Sequence, residues 1–313
     1  MARVLVTGSS GQIGSYLVDR LSAGGHAVIG VDGVRRDRPP QPGVELRPGP
    51  VEAETVAALL DGCGGLDAIV HLAGKSSVGE SWGAPMATFD VNARTTAALA
   101  YAAQARGVAF VHASSAEIFG HAGAAVQDEA TPIAPVSPYG VAKAAAHAVV
   151  RLTREELGAA ATNLVFFLGE SVRRSEAFVF RKITRGLARV KLGRAAHLTL
   201  GNTAAIRDFC FADDFARAAE MFALGAPPGD YVCASGEAHA IAEIATACCA
   251  WLGLDPAEVL RTDAGLFRRA DIARLVGDAS RLRALGWAPT LSFQALVETI
   301  AAHDLAQAQR EDR

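Results

Sequence analysis

The sequence predicts an α/β protein, a Rossmann-type doubly wound parallel sheet followed by a smaller α/β C-terminal lobe. Three observations carry this. Short apolar runs alternate with helix-period segments from the N-terminus to about residue 168. A glycine-rich turn follows the first of those runs. After about residue 170 the order changes to a basic helical segment and then short, irregularly spaced elements.

Arg3-Val4-Leu5-Val6-Thr7 is a continuous apolar run, which suits a strand buried on both faces. Helical periodicity over 12–23 ends at Gly24-Gly25, and a second apolar strand is expected over 27–32, so the first 32 residues form a βαβ unit. The alternation predicts helices over 53–60, 85–105 and 139–157, and strands over 67–72, 108–114 and 163–168. A basic helix is expected over 176–191, then short strands and helices to Leu285, with no Gly/Ser or Pro-rich linker between the halves. About the last ten residues, ending Gln309-Arg310-Glu311-Asp312-Arg313, are expected to fray.

With 313 residues, half of them apolar, the chain can bury a large core. A formal charge of -3 supplies no basic field for a polyanionic backbone, so no nucleic-acid partner is expected. Cys63, Cys210, Cys233, Cys248 and Cys249 form no CxxC pair and have no histidine cluster at ligand spacing, so no metal is expected. The N-terminus enters a strand at once and no stretch reaches membrane-spanning length, from which a cytoplasmic protein with no membrane partner is expected.

Gly8, Gly11, Gln12, Ile13 and Gly14 lie at the first strand-to-helix junction, where a dinucleotide pyrophosphate meets unpaired helix N–H groups and the positive end of the helix dipole. The spacing is G-x-x-G-x-x-G, a weak signal alone that gains force from its place in a βαβ unit. Leu72 and Ala73, at the carboxyl end of the 67–72 strand, are expected beside the same cofactor. Asp32 ends the second strand, where a carboxylate accepts hydrogen bonds from a ribose and repels a 2′-phosphate, which favours NAD. Arg35 and Arg36 follow closely and suit a 2′-phosphate, which keeps NADP as the alternative. Residues 1–169 are therefore expected to bind NAD(P), and 170–313 to form an interleaved substrate lobe.

Tyr139 and Lys143 stand four apart at the start of a helix, so their side chains share one face, and Pro138 favours a helix start there. A tyrosine is a poor base at neutral pH, and lowering its pKa by about three units takes roughly 4 kcal/mol of preferential phenolate stabilisation. Lys143 and a positive nicotinamide are candidates to supply it. Ser115 follows the 108–114 strand, at the end of a sheet that borders the ligand crevice, and is expected to hydrogen-bond the substrate oxygen that Tyr139 deprotonates. Glu117, two residues on, adds a carboxylate suited to proton abstraction at a second carbon.

These motifs resemble the extended short-chain dehydrogenase/reductase superfamily over almost the whole chain, and within it the GDP-mannose 4,6-dehydratase family. The resemblance rests on Gly11-Gln12-Ile13-Gly14-Ser15-Tyr16-Leu17, Ser137-Pro138-Tyr139-Gly140-Val141-Ala142-Lys143, Arg181-Lys182-Ile183-Thr184-Arg185, the Asp230–His239 segment and Leu275-Val276-Gly277-Asp278. It implies a homodimer or homotetramer and an internal redox cycle on one nucleotide-diphosphate sugar. In that cycle Tyr139 takes the O4 proton as C4 is oxidised, Glu117 removes the acidified C5 proton, water leaves from C6, and hydride returns to C6. It also implies nucleotide or diphosphate contacts from Glu170, Arg174, Lys182, Arg207 and Arg268.

The chain departs from the family pattern in four places. Leu168-Gly169 stands where the family has Asn-His, Val172 where it has Pro, Gly49-Pro50 where it has Gly-Asp, and Ser77, an expected substrate neighbour, where it has His. The altered contacts keep a 4-epimerase or 4-ketoreductase open as an alternative. A non-catalytic dinucleotide sensor would not need Ser115, Tyr139 and Lys143 together.

Overall fold

A computed structural model describes residues 1–34, 41–267 and 271–311. Seven parallel strands form the central sheet, in the order Asp230–Cys233, Ala161–Phe166, Ala109–Ser115, Ala68–His71, Arg3–Thr7, Ala27–Asp32, Val44–Pro48. From the Arg3–Thr7 strand the chain winds outward to one edge, then returns to build the other side beginning with Ala68–His71. The carboxyl ends of these two strands flank the topological switch point, where open α/β sheets bind ligands.

The core explains the strand pattern. Leu5, Ile69 and Phe110 pack on one face against Leu99 and Ala103 of the Thr95–Ala105 helix and Val150 of the Pro138–Glu155 helix. Val4, Val6, Val70 and Val111 face the other way, onto Leu17 and Leu21 of the Gln12–Ala23 helix and Phe215 and Phe222 of the Ala212–Ala223 helix. Consecutive residues thus serve opposite cores, so these strands read as unbroken apolar runs. The Val44–Pro48 edge strand follows another rule. Glu45 and Leu46, which point to opposite faces, are both exposed, and it carries no apolar run for the sequence to announce.

The second half of the chain contributes to one of these two cores and builds a third. Asp230–Cys233 closes one edge of the sheet and the Ala212–Ala223 helix covers a face of it. A further core lies under the Val179–Lys191, Ile241–Leu252 and Phe293–Arg310 helices, built from Phe180, Ile183, Leu187, Ile244, Val297 and Ile300.

Two expectations need correction. The helix expected over 85–105 is broken by a π-helical turn at Asp90–Arg94, between Pro85–Phe89 and Thr95–Ala105. The C-terminal residues do not fray from about 304: the Phe293–Arg310 helix runs through them, Ala308 is buried, and Asp304 ties the helix to Arg181. The polar residues of this tail conceal one buried stripe, which a reading of composition misses.

Candidate active site

The Pro138–Glu155 helix starts at a well-defined point. Ser137 caps it, its hydroxyl accepting the Gly140 N–H at 3.0 Å, and Pro138 fills the first position. The Tyr139 N–H donates to the Ser81 hydroxyl at 3.2 Å. A Cβ on Gly140 would lie 2.7 Å from the Glu117 carbonyl oxygen, so glycine is what lets the helix start meet the Ser115–Glu117 turn. Ser115 ends its strand and accepts the Glu117 N–H at 3.3 Å.

This packing brings the expected residues together. The Tyr139 phenol is hydrogen-bonded to Ser115, with Glu117 and Arg174 close enough to act on it electrostatically. Burial raises the phenol pKa most, Ser115 and Arg174 pull it down, and Glu117 pushes it up, with a net rise. Lys143 is not among the groups acting on it. The Lys143 ammonium instead donates to the Ala113 carbonyl at 2.7 Å, and burial lowers its pKa to about 8.

The π-helical turn positions Asn92, which the sequence reading missed. Its side-chain oxygen accepts the Lys75 N–H at 2.8 Å and its amide donates to the Lys75 carbonyl at 2.9 Å, fixing the loop after the Ala68–His71 strand. A Cβ on Gly74 would sit 2.8 Å from that oxygen, so Gly74 permits the contact. Behind it His71 bridges Thr7 at 2.7 Å and Thr96 at 3.1 Å, and Thr96 donates to the Asn92 carbonyl at 2.7 Å. Burial first, then the Lys143 charge, lower the His71 pKa to about 3, so this bridge is neutral. An asparagine inside a helical pattern gives no local signal for such a role.

A cleft of about 630 Å³ opens over these groups. Ser77, Ser115, Glu117, Tyr139, Lys143, Glu170, Arg174, Lys182 and Arg207 all line it, as do Ile13 and Leu72. Gly8, Gly11, Gln12, Gly14, Asp32 and Ala73 lie outside that lining; the glycines and Gln12 form the adjoining strand-to-helix turn. Ser77 also caps the Val78–Ser81 helix through the Glu80 N–H. Arg174 donates to Gln12 at 3.1 Å and stacks 3.4 Å over the Phe178 ring, while Arg207 pairs with Asp271 at 3.0 Å. Gln12 additionally donates to the Gly169 carbonyl and the Ser171 hydroxyl, so it bridges the glycine turn to the opposite wall. The departure at Gly169 has a packing cause: a Cβ there would lie 2.9 Å from the Phe215 ring. Arg35 and Arg268 lie outside the described residues.

The glycine turn fits a dinucleotide. Gly8 adopts φ +70°, and a Cβ on it would lie 2.6 Å from the Ala73 nitrogen, while one on Gly14 would lie 2.1 Å from the Gly8 oxygen. The Gln12–Ala23 helix has no side-chain cap and no acid in its first turn, which leaves its N-terminal N–H groups and dipole suited to an anion. Asp32 accepts the Ser10 N–H and the Val34 N–H, each at 2.8 Å, holding the turn against the second strand. Among the described residues no cluster of His, Cys, Asp or Glu could hold a metal ion. No helix among them is long and apolar enough to cross a membrane.

A Rossmann sheet with this glycine turn and a Ser–Tyr–Lys set lining the cleft at the carboxyl ends of its strands defines an extended short-chain dehydrogenase/reductase. Residues 5–300 match the family model described as GDP-mannose 4,6 dehydratase, and the chain belongs to that family. It is 35% identical to GDP-mannose 4,6 dehydratase 1 of Arabidopsis thaliana over 98% of this chain and 91% of the relative. It is 32% identical to a GDP-mannose 4,6-dehydratase of Vibrio cholerae over 98% and 95%. Among solved structures, the NAD complex of Thermus thermophilus UDP-glucose 4-epimerase superposes with a TM-score of 0.83 at 27% identity, over 96% of this chain and 98% of that one.

Proposed function

We propose that this enzyme is a nucleotide-sugar 4,6-dehydratase acting on GDP-mannose or a close analogue, with NAD as the resident cofactor. The observation that carries this is the Glu117 carboxylate beside the Ser115–Tyr139 pair in one cleft. A dehydrogenase or epimerase needs no second base there, whereas elimination does. The family relatives, named as GDP-mannose dehydratases, support the choice of sugar and base.

A nicotinamide held by the glycine turn would supply hydride exchange with carbon and, while oxidised, positive charge that favours a phenolate. Tyr139 takes the proton from the sugar O4, with Ser115 holding that oxygen through its hydroxyl. The resulting ketone acidifies the adjacent C–H; Glu117 removes the C5 proton and passes it to the C6 hydroxyl, which leaves as water, and the C5=C6 bond left behind would take hydride back at C6 and, at C5, the proton that Tyr139 took from O4. Lys143, anchored on the Ala113 carbonyl, keeps a positive charge beneath the site. Ser77, Glu170, Arg174, Lys182 and Arg207 hold the nucleotide sugar, and Arg268 joins them on the family resemblance. Gly8, Gly11, Gln12, Ile13, Gly14, Leu72 and Ala73 hold the dinucleotide. Asp32 puts negative charge at its ribose end and favours NAD, whereas Arg35 is the group that would admit NADP.

The described cysteines are all buried and unbridged, which supports a reducing, cytoplasmic setting. Exposed Phe89, Tyr101, Val141 and Leu152, on three neighbouring helices, support pairing with a second copy, which sedimentation would reveal.

The test is incubation with GDP-mannose and mass analysis of the product. Loss of one water is expected, and Glu117→Gln should slow it by about 10²–10⁴-fold. Unchanged mass with inverted C4 would make the enzyme an epimerase, and a stoichiometric need for reduced cofactor would make it a reductase.

A further inference from the structure

Among the described residues, Glu170 is the carboxyl in the cleft wall that the protein itself leaves unanswered. It is 1% exposed, yet no hydrogen bond reaches it from the described residues, and its Oε2 is a buried orphan. A buried polar atom without a partner costs about 1–3 kcal/mol, which a partner from outside the chain would offset. The residue ends the Leu168–Glu170 strand and lines the same cleft as Arg174, Lys182 and Arg207.

The surroundings state what kind of partner. Arg174, from the turn after its own strand, and Arg181, from the Val179–Lys191 helix, are the charged groups acting on it. The parallel partner strand sets Phe211 opposite it and brings no charge there. Arg181 is already committed to Asp304 at 2.6 Å. Lys182, Arg207, Asp271 and Glu117 belong to the same cleft without being among the groups that shift it. A cationic wall that suits a diphosphate thus contains one carboxyl, and as a carboxylate it would repel the ligand that its neighbours attract.

Resting on the function proposed above, we infer that Glu170 contacts the anionic part of the nucleotide sugar as a neutral, hydrogen-bond-donating acid, and that binding takes up a proton there. Burial raises this carboxyl to about 7, against the pull of Arg174 and Arg181, so both protonation states are available near neutrality. An anion bound in the cleft adds negative charge beside it and draws on the charge of Arg174, and both effects favour the neutral acid. The sign follows. Affinity is full below the pKa of the unliganded group and falls about tenfold per pH unit above it, until the pKa of the liganded group is reached.

Isothermal titration of the cofactor-loaded enzyme with GDP-mannose between pH 6 and about 9, in buffers of different ionisation heat, reads affinity and proton uptake together. Uptake of up to one proton and a falling affinity above neutral pH are expected for the wild type, and Glu170→Gln should abolish both while keeping tight binding. Wild-type binding with no proton uptake overturns the inference without any variant. So does a Glu170→Gln variant that keeps the wild-type pH dependence. If GDP-mannose fails to bind and a UDP-sugar does, the GDP reading falls and the Glu170 inference is read on that sugar. If no nucleotide sugar binds, both fall.

Discussion

Lys143 shows how a single side chain trades stability for chemistry. It is buried beneath the cleft with its pKa lowered to about 8, while in the unfolded chain it titrates near 10.4. The folded state therefore binds fewer protons between these values; the cost of burying the charge is complete below about pH 8 and fades as pH rises toward 10.4. The shift corresponds to about 3 kcal/mol, offset by the roughly 1 kcal/mol hydrogen bond to Ala113. Lys143→Met should thus raise stability by about 1–2 kcal/mol at pH 7 and by little near pH 10.5, while turnover falls about 10²–10⁴-fold. Denaturant midpoints at the two pH values check this, and a variant less stable than wild type at pH 7 would refute it. Tyr139, Lys143 and Ser115 were legible because spacing and strand position announce them. Asn92 and the orphaned state of Glu170 were not, because each depends on which distant segment the fold lays beside it.

At the scale of elements, charge is used to lock helices rather than to catalyse. Asp304 of the Phe293–Arg310 helix receives Arg181 at 3.0 and 2.6 Å and the Thr184 hydroxyl at 2.6 Å, all within the buried seam with Val179–Lys191. Asp304→Ala strands a buried guanidinium and should cost about 3–5 kcal/mol. Replacing both partners, Arg181→Met with Asp304→Leu, should recover most of that loss, since well-packed apolar pairs often match a buried ion pair. Thermal or denaturant unfolding of the single and double variants decides it; equal losses in both would show that the pair contributes more than mutual neutralisation. The sequence showed the basic helix but assigned its charges to ligand or solvent, because the matching carboxylate is 123 residues away. The π-helical turn at Asp90–Arg94 was hidden for a related reason: one extra residue per turn barely disturbs apolar periodicity.

At the scale of the molecule, the sheet and the substrate wall are built from the same stretches of chain. The first 169 residues look self-sufficient in sequence, with a complete alternation of strands and helices, and the boundary proposed at 169/170 follows that alternation. Their sheet is nevertheless finished by Asp230–Cys233, and one of its faces is covered by Phe215, Ala219 and Phe222 of the Ala212–Ala223 helix. The reverse dependence holds at Gln12, whose amide reaches Ser171, and at Arg20, which pairs with Glu220 at 2.7 Å. A fragment ending at residue 169 would expose an apolar sheet face and leave the Ala161–Phe166 strand as an open, hydrophobic edge. We expect this fragment to keep much of its far-ultraviolet helix and strand signal while losing near-ultraviolet signal and cooperative unfolding. Co-expression with 170–313 should restore both if the two parts associate through the shared sheet. A fragment that unfolds cooperatively alone and still binds NAD would show instead that the first half is an independent domain. The interleaved arrangement also ties the glycine turn and the Arg174 wall to one another through Gln12. Gln12→Ala should therefore weaken dinucleotide and nucleotide-sugar binding together, by about tenfold each, whereas a purely local contact would weaken only the first.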